Sequence, residues 1–394
     1  MSKARSIHLS KARPQRVRRW APRLWMGCDL RSWWRLLRRY HFAVEPRYAH
    51  IAAIDTLASV LNSALAAVER LAYADRVART AIDPEPVFIL GYPRTGTTLL
   101  HELLALDPRH AAPTVYECVM PHHFLLSQGS GRTFARLLMP NRRPADNMAF
   151  DCDSPFEDEF ALCLLGARSP YEAIAFPNAA REVPGLLDFD ALLPDEAQWW
   201  RETLLAFLRK VSFNHPGCRL VLKSPPHTAR IRVLLELFPR ARFVHIVRNP
   251  VHVFPSTMHM LRTLFRTQGF QRRRDDGLEE AVLAGFEYAY ACIERDRPLF
   301  GPGQFHELRY EDLLREPVAE LGSLYAALGL ELAPETVASV QAYFASRRDY
   351  RTNALQLTPA ELERVRRRWA PVIARYGYET VSGASSAASC AAIS

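Results

Sequence analysis

The sequence predicts an α/β protein in three layers, a central parallel sheet flanked by helices, and three observations lead there. Short apolar runs at 87–90, 220–222 and 243–247 read as buried strands. Each ends on residues able to do chemistry, and each runs into a segment with helical periodicity. In such a sheet, ligands collect outside the carboxyl ends of the strands. With 394 residues and 48% hydrophobic content, the chain can bury a large core, and one elaborated domain accounts for it better than two. The expected division is a basic, Trp-rich helical extension over 1–83, a main domain over 84–380, and a disordered Ser/Ala-rich tail over 381–394.

The first strand, Val87-Phe88-Ile89-Leu90, enters Gly91-Tyr92-Pro93-Arg94-Thr95-Gly96-Thr97-Thr98 and then a helix beginning at Thr97. Gly91 and Gly96 have the spacing of a phosphate-binding P-loop, but Thr97 stands where a nucleotide triphosphatase needs Lys, and Arg94 is the only cation inside the loop. Backbone N–H groups around Thr95 to Thr98, together with the positive end of the helix dipole, are expected to hold a phosphate. The loop is P-loop-like without being built for ATP hydrolysis.

The second strand breaks at Lys223-Ser224-Pro225-Pro226-His227, followed by an amphipathic run from Thr228 to Phe238. The third ends in Arg248-Asn249-Pro250, with Ser256 eight residues beyond Arg248. A lone Arg at a strand end most often pairs with a carboxylate. A guanidinium in that place is also suited to gripping a phosphate bidentately.

These segments together resemble the sulfotransferase family that uses 3′-phosphoadenosine 5′-phosphosulfate. Pro93-Arg94-Thr95-Gly96-Thr97-Thr98 is similar to its 5′-phosphosulfate loop, and Arg248 with Ser256 to its 3′-phosphate motif. The resemblance implies that Arg94, Thr95, Gly96, Thr97, Thr98, Arg248 and Ser256 bind this donor, and that Arg351, in Asp349-Tyr350-Arg351-Thr352-Asn353, closes over the nucleotide. The usual Arg-x-x-Gly-x-x-Gly pattern is absent there. Lys223 matches the lysine that assists transfer in cytosolic members. His227 corresponds loosely to their general base, since Pro225 occupies the matching position. The glycan and tyrosylprotein branch instead places a Glu base after the loop helix, and Glu117 falls near that place. A carboxylate in that role needs partial desolvation and hydrogen-bond reach to the alcohol. Sulfuryl transfer builds charge on the oxygen leaving toward the 5′-phosphate, so fixed cations should face it. Arg94 and Lys223 are the candidates, and no metal is needed.

From about residue 30 to 375 the chain also resembles a bacterial branch of this family that includes a mycobacterial enzyme sulfating a hydroxylated menaquinone. That likeness implies a small-molecule or lipid alcohol as acceptor. Acceptor pockets in the family are built from segments such as Pro121-His122-His123-Phe124, Arg168-Ser169-Pro170-Tyr171 and residues 144–164 with their acidic cluster. In the last, Ser154 reads as a helix cap with Glu157 reaching back to it, the alternative being Glu157, Asp158 or Glu159 aimed at the acceptor hydroxyl. Two other classes stay open at this point: a nucleotide-dependent kinase, and a non-catalytic nucleotide-binding protein at a membrane surface.

The charge is concentrated at one end. Residues 1–40 hold twelve Lys or Arg and a single acid, Asp29; removing them from totals of 51 and 42 leaves 39 bases against 41 acids. A nucleic-acid enzyme would spread its bases over a binding face, so that partner is not expected. Trp20, Trp25, Trp33 and Trp34 lie among these cations, and Leu30 to Tyr40 reads as a helix that either packs on the domain or rests on anionic lipid. The segment Ile51 to Ala67 carries Asp55 and is expected to be too short to span a bilayer. Seven cysteines, without a C-x-x-C pair, point to reduced thiols in a cytoplasmic protein, peripheral to the inner membrane face at most, and away from structural zinc.

Overall fold

Five short strands pair in parallel in the order β2-β3-β1-β4-β5: β1 Val87–Leu90, β2 His110–Ala111, β3 Arg219–Lys223, β4 Arg242–Val247 and β5 Phe305–Arg309. The computed structural model describes residues 23–129, 131–133, 151–178, 187–274, 277–347 and 355–378. The Arg-rich stretch before Arg23, Arg351 and the tail at 381–394 therefore lie outside the described residues.

Strand alternation sorts the core into layers. Phe88, Leu90, Leu220, Leu222 and Phe243 face one side, where they join the N-terminal helices. Val87, Ile89, Val221, Val244 and Ile246 face the other, with Leu100, Leu103 and the apolar side chains of residues 313–343. Because helices cover both faces, β1 is buried along its whole length. The three expected strands are present. The edge strands β2 and β5 carry little apolar signal: β2 has two residues, and β5 reads Phe-His-Glu-Leu-Arg.

The N-terminal region shares the same core. Helix α1, Leu30–Arg39, is capped by the Asp29 carboxylate, which accepts from the Ser32 amide at 2.8 Å. It buries Trp33, Leu36 and Leu37, while Trp34 stays 55% exposed. The Trp33 indole stacks near Phe270 and donates to Thr56 at 2.9 Å. Packing is thus the outcome for most of residues 30–40.

Helix α2, Ala49–Ala78, corrects the expectation for Ile51 to Ala67. It runs 30 residues, and the stretch Pro46–Ala78 is long and apolar enough to cross a membrane by length and composition. Asp55 does not interrupt it because its carboxylate faces inward and is fully buried.

The Asp55 carboxylate oxygens accept no hydrogen bond from the described residues. Burial raises its carboxyl from 3.8 to about 7, opposed only in part by Arg23. The folded state therefore keeps a proton that the unfolded chain has lost, so this site's contribution to stability is full near pH 4 and disappears as pH rises toward 7. Asp55→Asn should remove that slope, worth up to about 1.4 kcal/mol per pH unit. Thermal unfolding from pH 4.5 to 8 should show a melting advantage of the variant that grows with pH and levels off above 7.

Candidate active site

The ends of β3, β1 and β4 are neighbours, and each delivers one part of the site. β1 delivers the loop Gly91 to Gly96, from which helix α3, Thr97–Leu104, starts. Gly96 caps α3 with φ of 105°, and a Cβ there would run into the Tyr310 ring, so both conformation and space demand glycine. Arg94 also has positive φ, 74°, which turns its carbonyl toward Arg248. The Thr95 amide and hydroxyl both return to the Tyr92 carbonyl, at 3.2 and 2.8 Å. Thr95 is therefore a buried turn-former, and its N–H is not among those aimed at a ligand. The amides opening α3 at Thr97 and Thr98 keep that property. Two hydroxyls brace the loop from outside. Thr228 accepts from the Gly91 amide at 2.9 Å, and Thr257 donates to the Pro93 carbonyl at 3.2 Å.

Lys223 closes β3, paired in register with Ile89, and is almost fully buried. Its Nζ donates to Glu157 Oε1 at 2.5 Å and lies 3.4 Å from Thr98 Oγ1, which places a cation beside the start of α3. Tyr171 donates its hydroxyl to the other Glu157 oxygen. The run after Lys223 continues this pairing. Ser224 donates to Asp158 at 2.9 Å, His227 Nε2 is 2.7 Å from Asp158, and Arg230 meets Glu159 at 2.6 Å. Three successive acids thus answer Lys223, His227 and Arg230. Helix α4, Val115–Val119, lies alongside, and α5, Asp158–Leu164, begins only after Glu157. The expected Ser154 cap is not formed: the Ser154 hydroxyl accepts from the Asp151 amide, and the Glu157 carboxylate is taken by Lys223.

β4 ends at Arg248, whose guanidinium donates to the Arg94 carbonyl at 3.1 Å and sits 4.4 Å over the Tyr310 ring. Arg94 in turn donates through Nε to Ser256 at 2.8 Å. Ser256 lies on α6, Pro250–Gln268, a helix started by the Asn249 side chain and Pro250. The two phosphate motifs read from the sequence therefore meet as one cluster of Arg94, Arg248 and Ser256. One turn beyond Ser256, His259 is held below its usual range by burial and by the charges of Arg94, Arg266 and Arg262.

Neither base candidate read from the sequence reaches this cluster. Glu117 is fully buried at the third position of α4, in a reciprocal capping box with Thr114. Its carboxylate accepts from the Thr114 amide, from Asn214 at 2.7 Å and from His215 at 3.0 Å. Burial works against the ionised form, but His215 and these hydrogen bonds outweigh it and hold the carboxyl below its usual range. With both oxygens engaged by protein donors, Glu117 is a structural acid. His227 is also sealed, with no exposed surface, one ring nitrogen on Asp158 and the ring edge against Phe88. Burial works against the ionised form of Asp158, but the His227 contact and the Ser224 hydrogen bond outweigh it and lower its carboxyl below the usual range.

The acid nearest the start of α3 through its partner is Glu157, whose side chain keeps 18% exposure and is bonded to Lys223, itself beside Thr98. Its sequence signal was present, an acid run between apolar residues, but a capping pattern explained the same letters. Tyr310, Thr228 and Thr257 had no signal in the sequence, since none of them occupies a motif position. Among the described residues, no group of three or more His, Cys, Asp or Glu is arranged to hold a metal ion.

A profile described as the sulfotransferase family matches residues 86–334. The omega-hydroxy-beta-dihydromenaquinone-9 sulfotransferase Stf3 of Mycobacterium bovis is 42% identical over 370 residues, covering 94% of this chain and 95% of that protein. Human carbohydrate sulfotransferase 6 is 30% identical over 63% of this chain and 65% of its own length. Among solved structures, sulfotransferase STF9 of Mycobacterium avium superposes with a TM-score of 0.62 at 20% identity, covering 81% of this chain and 84% of that one, which speaks for the fold. STF1 of Mycobacterium tuberculosis does so with 0.60 at 19% identity, covering 88% and 94%. A family match that spans the sheet, with a relative 42% identical over nearly the whole chain, makes this chain a member of the sulfotransferase family and an enzyme of that family.

Proposed function

We propose that the chain moves a sulfuryl group from 3′-phosphoadenosine 5′-phosphosulfate to the hydroxyl of a lipophilic alcohol. The observation that carries this reading is the Lys223–Glu157 pair, which sets a cation and a partly exposed carboxylate side by side next to Thr98. The α3 amides and Thr97 would hold the 5′-phosphate of the donor, and Arg248 with Ser256 its 3′-phosphate. Arg94, bonded to Ser256, ties the two ends together. In the transfer, the acceptor oxygen forms a new bond to sulfur as the bond from sulfur to the 5′-phosphate oxygen breaks. The electron pair stays on that leaving oxygen, where Lys223 and Arg94 meet it, and the alcohol proton passes to Glu157. Asp158 and His227 are positioning residues that fix the segment bearing Glu157.

A lipophilic acceptor is supported by the 42% identity to a protein named for a menaquinone-derived alcohol. Among the described residues six cysteines are free, five of them buried, in keeping with a cytoplasmic enzyme working at the inner face of a membrane. The direct test is mass spectrometry of lipid extracts from cells with and without the protein. A species heavier by one sulfate in the first alone is the expected result, and sulfation confined to polar sugars would overturn the acceptor class.

Three outcomes are expected at the site. Glu157→Gln should lower kcat about 100-fold or more, while calorimetry finds donor affinity changed by no more than a few fold. Arg248→Ala should weaken the 3′-phosphorylated nucleotide by about 1.5–3 kcal/mol and leave an analogue lacking that phosphate less affected, with Arg248→Lys recovering only part of the loss. Nucleotide binding places anionic charge among Arg94, Arg262 and Arg266, so it should raise the His259 pKa, read by NMR titration of the imidazole with and without 3′,5′-adenosine bisphosphate. An unmoved His259 would separate α6 from the nucleotide.

A further inference from the structure

Helix α2 is built inside out. Past Ile51, which joins the core at its first turn, the side chains it buries against the protein are polar: Asp55, Ser59, Asn62 and Glu69. Asn62 donates to the Met26 and Cys28 carbonyls and Glu69 pairs with Lys210 at 2.5 Å, which fastens the polar face to the domain. The outward side is apolar. Ile54, Leu57, Val60, Leu61, Val68 and Leu71 are all exposed, Leu57 by 73% and Leu71 by 90%. From Ala53 to Leu71 this strip runs roughly 27 Å. The two acids of that stretch, Asp55 and Glu69, face inward, and its one exposed charge is a cation, Arg70, beside Val68 and Leu71.

We propose that the outward face of α2 is a docking surface for an anionic lipid bilayer, with the helix lying in the plane of the interface. Six large apolar side chains in one exposed row exceed the scatter of single apolar residues normal on a soluble surface. A spanning orientation is ruled out because the inward face is fastened to the domain through Thr56, Asn62, Ser63 and Glu69. A second copy of this chain is the competing occupant, because Ile54, Leu57, Leu61, Ala64, Val68 and Leu71 follow heptad spacing. Such a seam takes its partner from charged flanks, and here the flanking positions are Ala58, Val60, Leu65, Ala67, Ala72 and Ala74. Lipid asks for no such pairing. The ends of the strip carry the charge that anionic lipid selects: exposed Arg47 and His50 before it, Arg76 and Arg79 after it, with Asp75 the one exposed acid between them. Helix α1, packed alongside through the bond from the Leu30 amide to Ser63, adds exposed Arg31, Trp34 and Arg38. Residues 1–22 contribute seven further Lys or Arg and no acid to the same end of the chain.

The surface is independent of the acceptor reading, and its test uses no sulfation. Full-length protein is sedimented with vesicles of phosphatidylglycerol and phosphatidylcholine, and separately with phosphatidylcholine alone, at low salt and at 0.5 M NaCl. Binding should favour the anionic vesicles and keep a salt-resistant part, because apolar insertion is not screened. The neutral double variant Leu57→Gln/Leu61→Gln should lower the partition coefficient tenfold or more and abolish the salt-resistant part, with circular dichroism and nucleotide binding unchanged. Equal binding by the variant would overturn the proposal and assign membrane contact to the basic terminus. Sedimentation velocity showing a lipid-free dimer that the double variant splits, without vesicle binding by the parent, would overturn it in favour of a second copy.

Discussion

Three buried basic side chains at and just after the end of β3 set the terms for the rest of the site. Lys223, His227 and Arg230 each lose their water on folding, and a buried charge is tolerable only with a partner in good geometry. Glu157, Asp158 and Glu159 provide those partners in strict succession. Removing one member of such a pair typically costs about 3–5 kcal/mol, so the pairing fixes register more firmly than it adds net stability. A slip of one residue in the acidic run would leave a charge unanswered at both ends. This is how a segment with no strand of its own is locked against the sheet, and why Glu157 stands beside the phosphate loop.

The same economy explains the loop. A nucleotide triphosphatase carries its lysine within the loop, where Thr97 stands here. The cation comes instead from the neighbouring strand, as Lys223 beside Thr98, and from the far side, as Arg248 through the Arg94 carbonyl. The described partners of Arg248, a carbonyl and the Tyr310 ring, leave its charge uncancelled. Positive charge held in place before a ligand arrives costs no reorganisation when an anion binds. With family membership established, a phosphotransferase reading has no remaining support, and the displaced lysine is its physical counterpart.

Those parts of the fold that depend on one strand or one loop were legible in the sequence. The apolar runs before Gly91, Lys223 and Arg248 announced β1, β3 and β4, and glycine spacing announced the turn into α3. What stayed hidden depends on pairs of distant segments. Glu157 and Lys223 are 66 positions apart, and only the folded chain shows that Glu157 caps nothing. Glu117 has the burial and the local position of a base, yet Asn214 and His215, from the end of a remote helix, occupy it. Asp55 misled for the opposite reason: an acid inside an apolar run reads as an interruption, until the run proves to face outward and the acid inward.

The Lys223–Glu157 contact also supplies a reason for chemistry to wait for substrate. While the ammonium is held at 2.5 Å by the carboxylate, the cation and the base neutralise each other. A donor whose phosphate reaches the start of α3 brings competing negative charge to Thr98, the other neighbour of Lys223. As the ammonium turns toward that charge, the Glu157 oxygen it held would be freed to accept from the alcohol. Tyr171, still donating to its second oxygen, keeps the carboxylate in place during the exchange. One residue pair would then release an acid-base group and a charge-stabilising group in the same event, so that proton removal from the alcohol is coupled to the presence of a leaving group able to accept the charge.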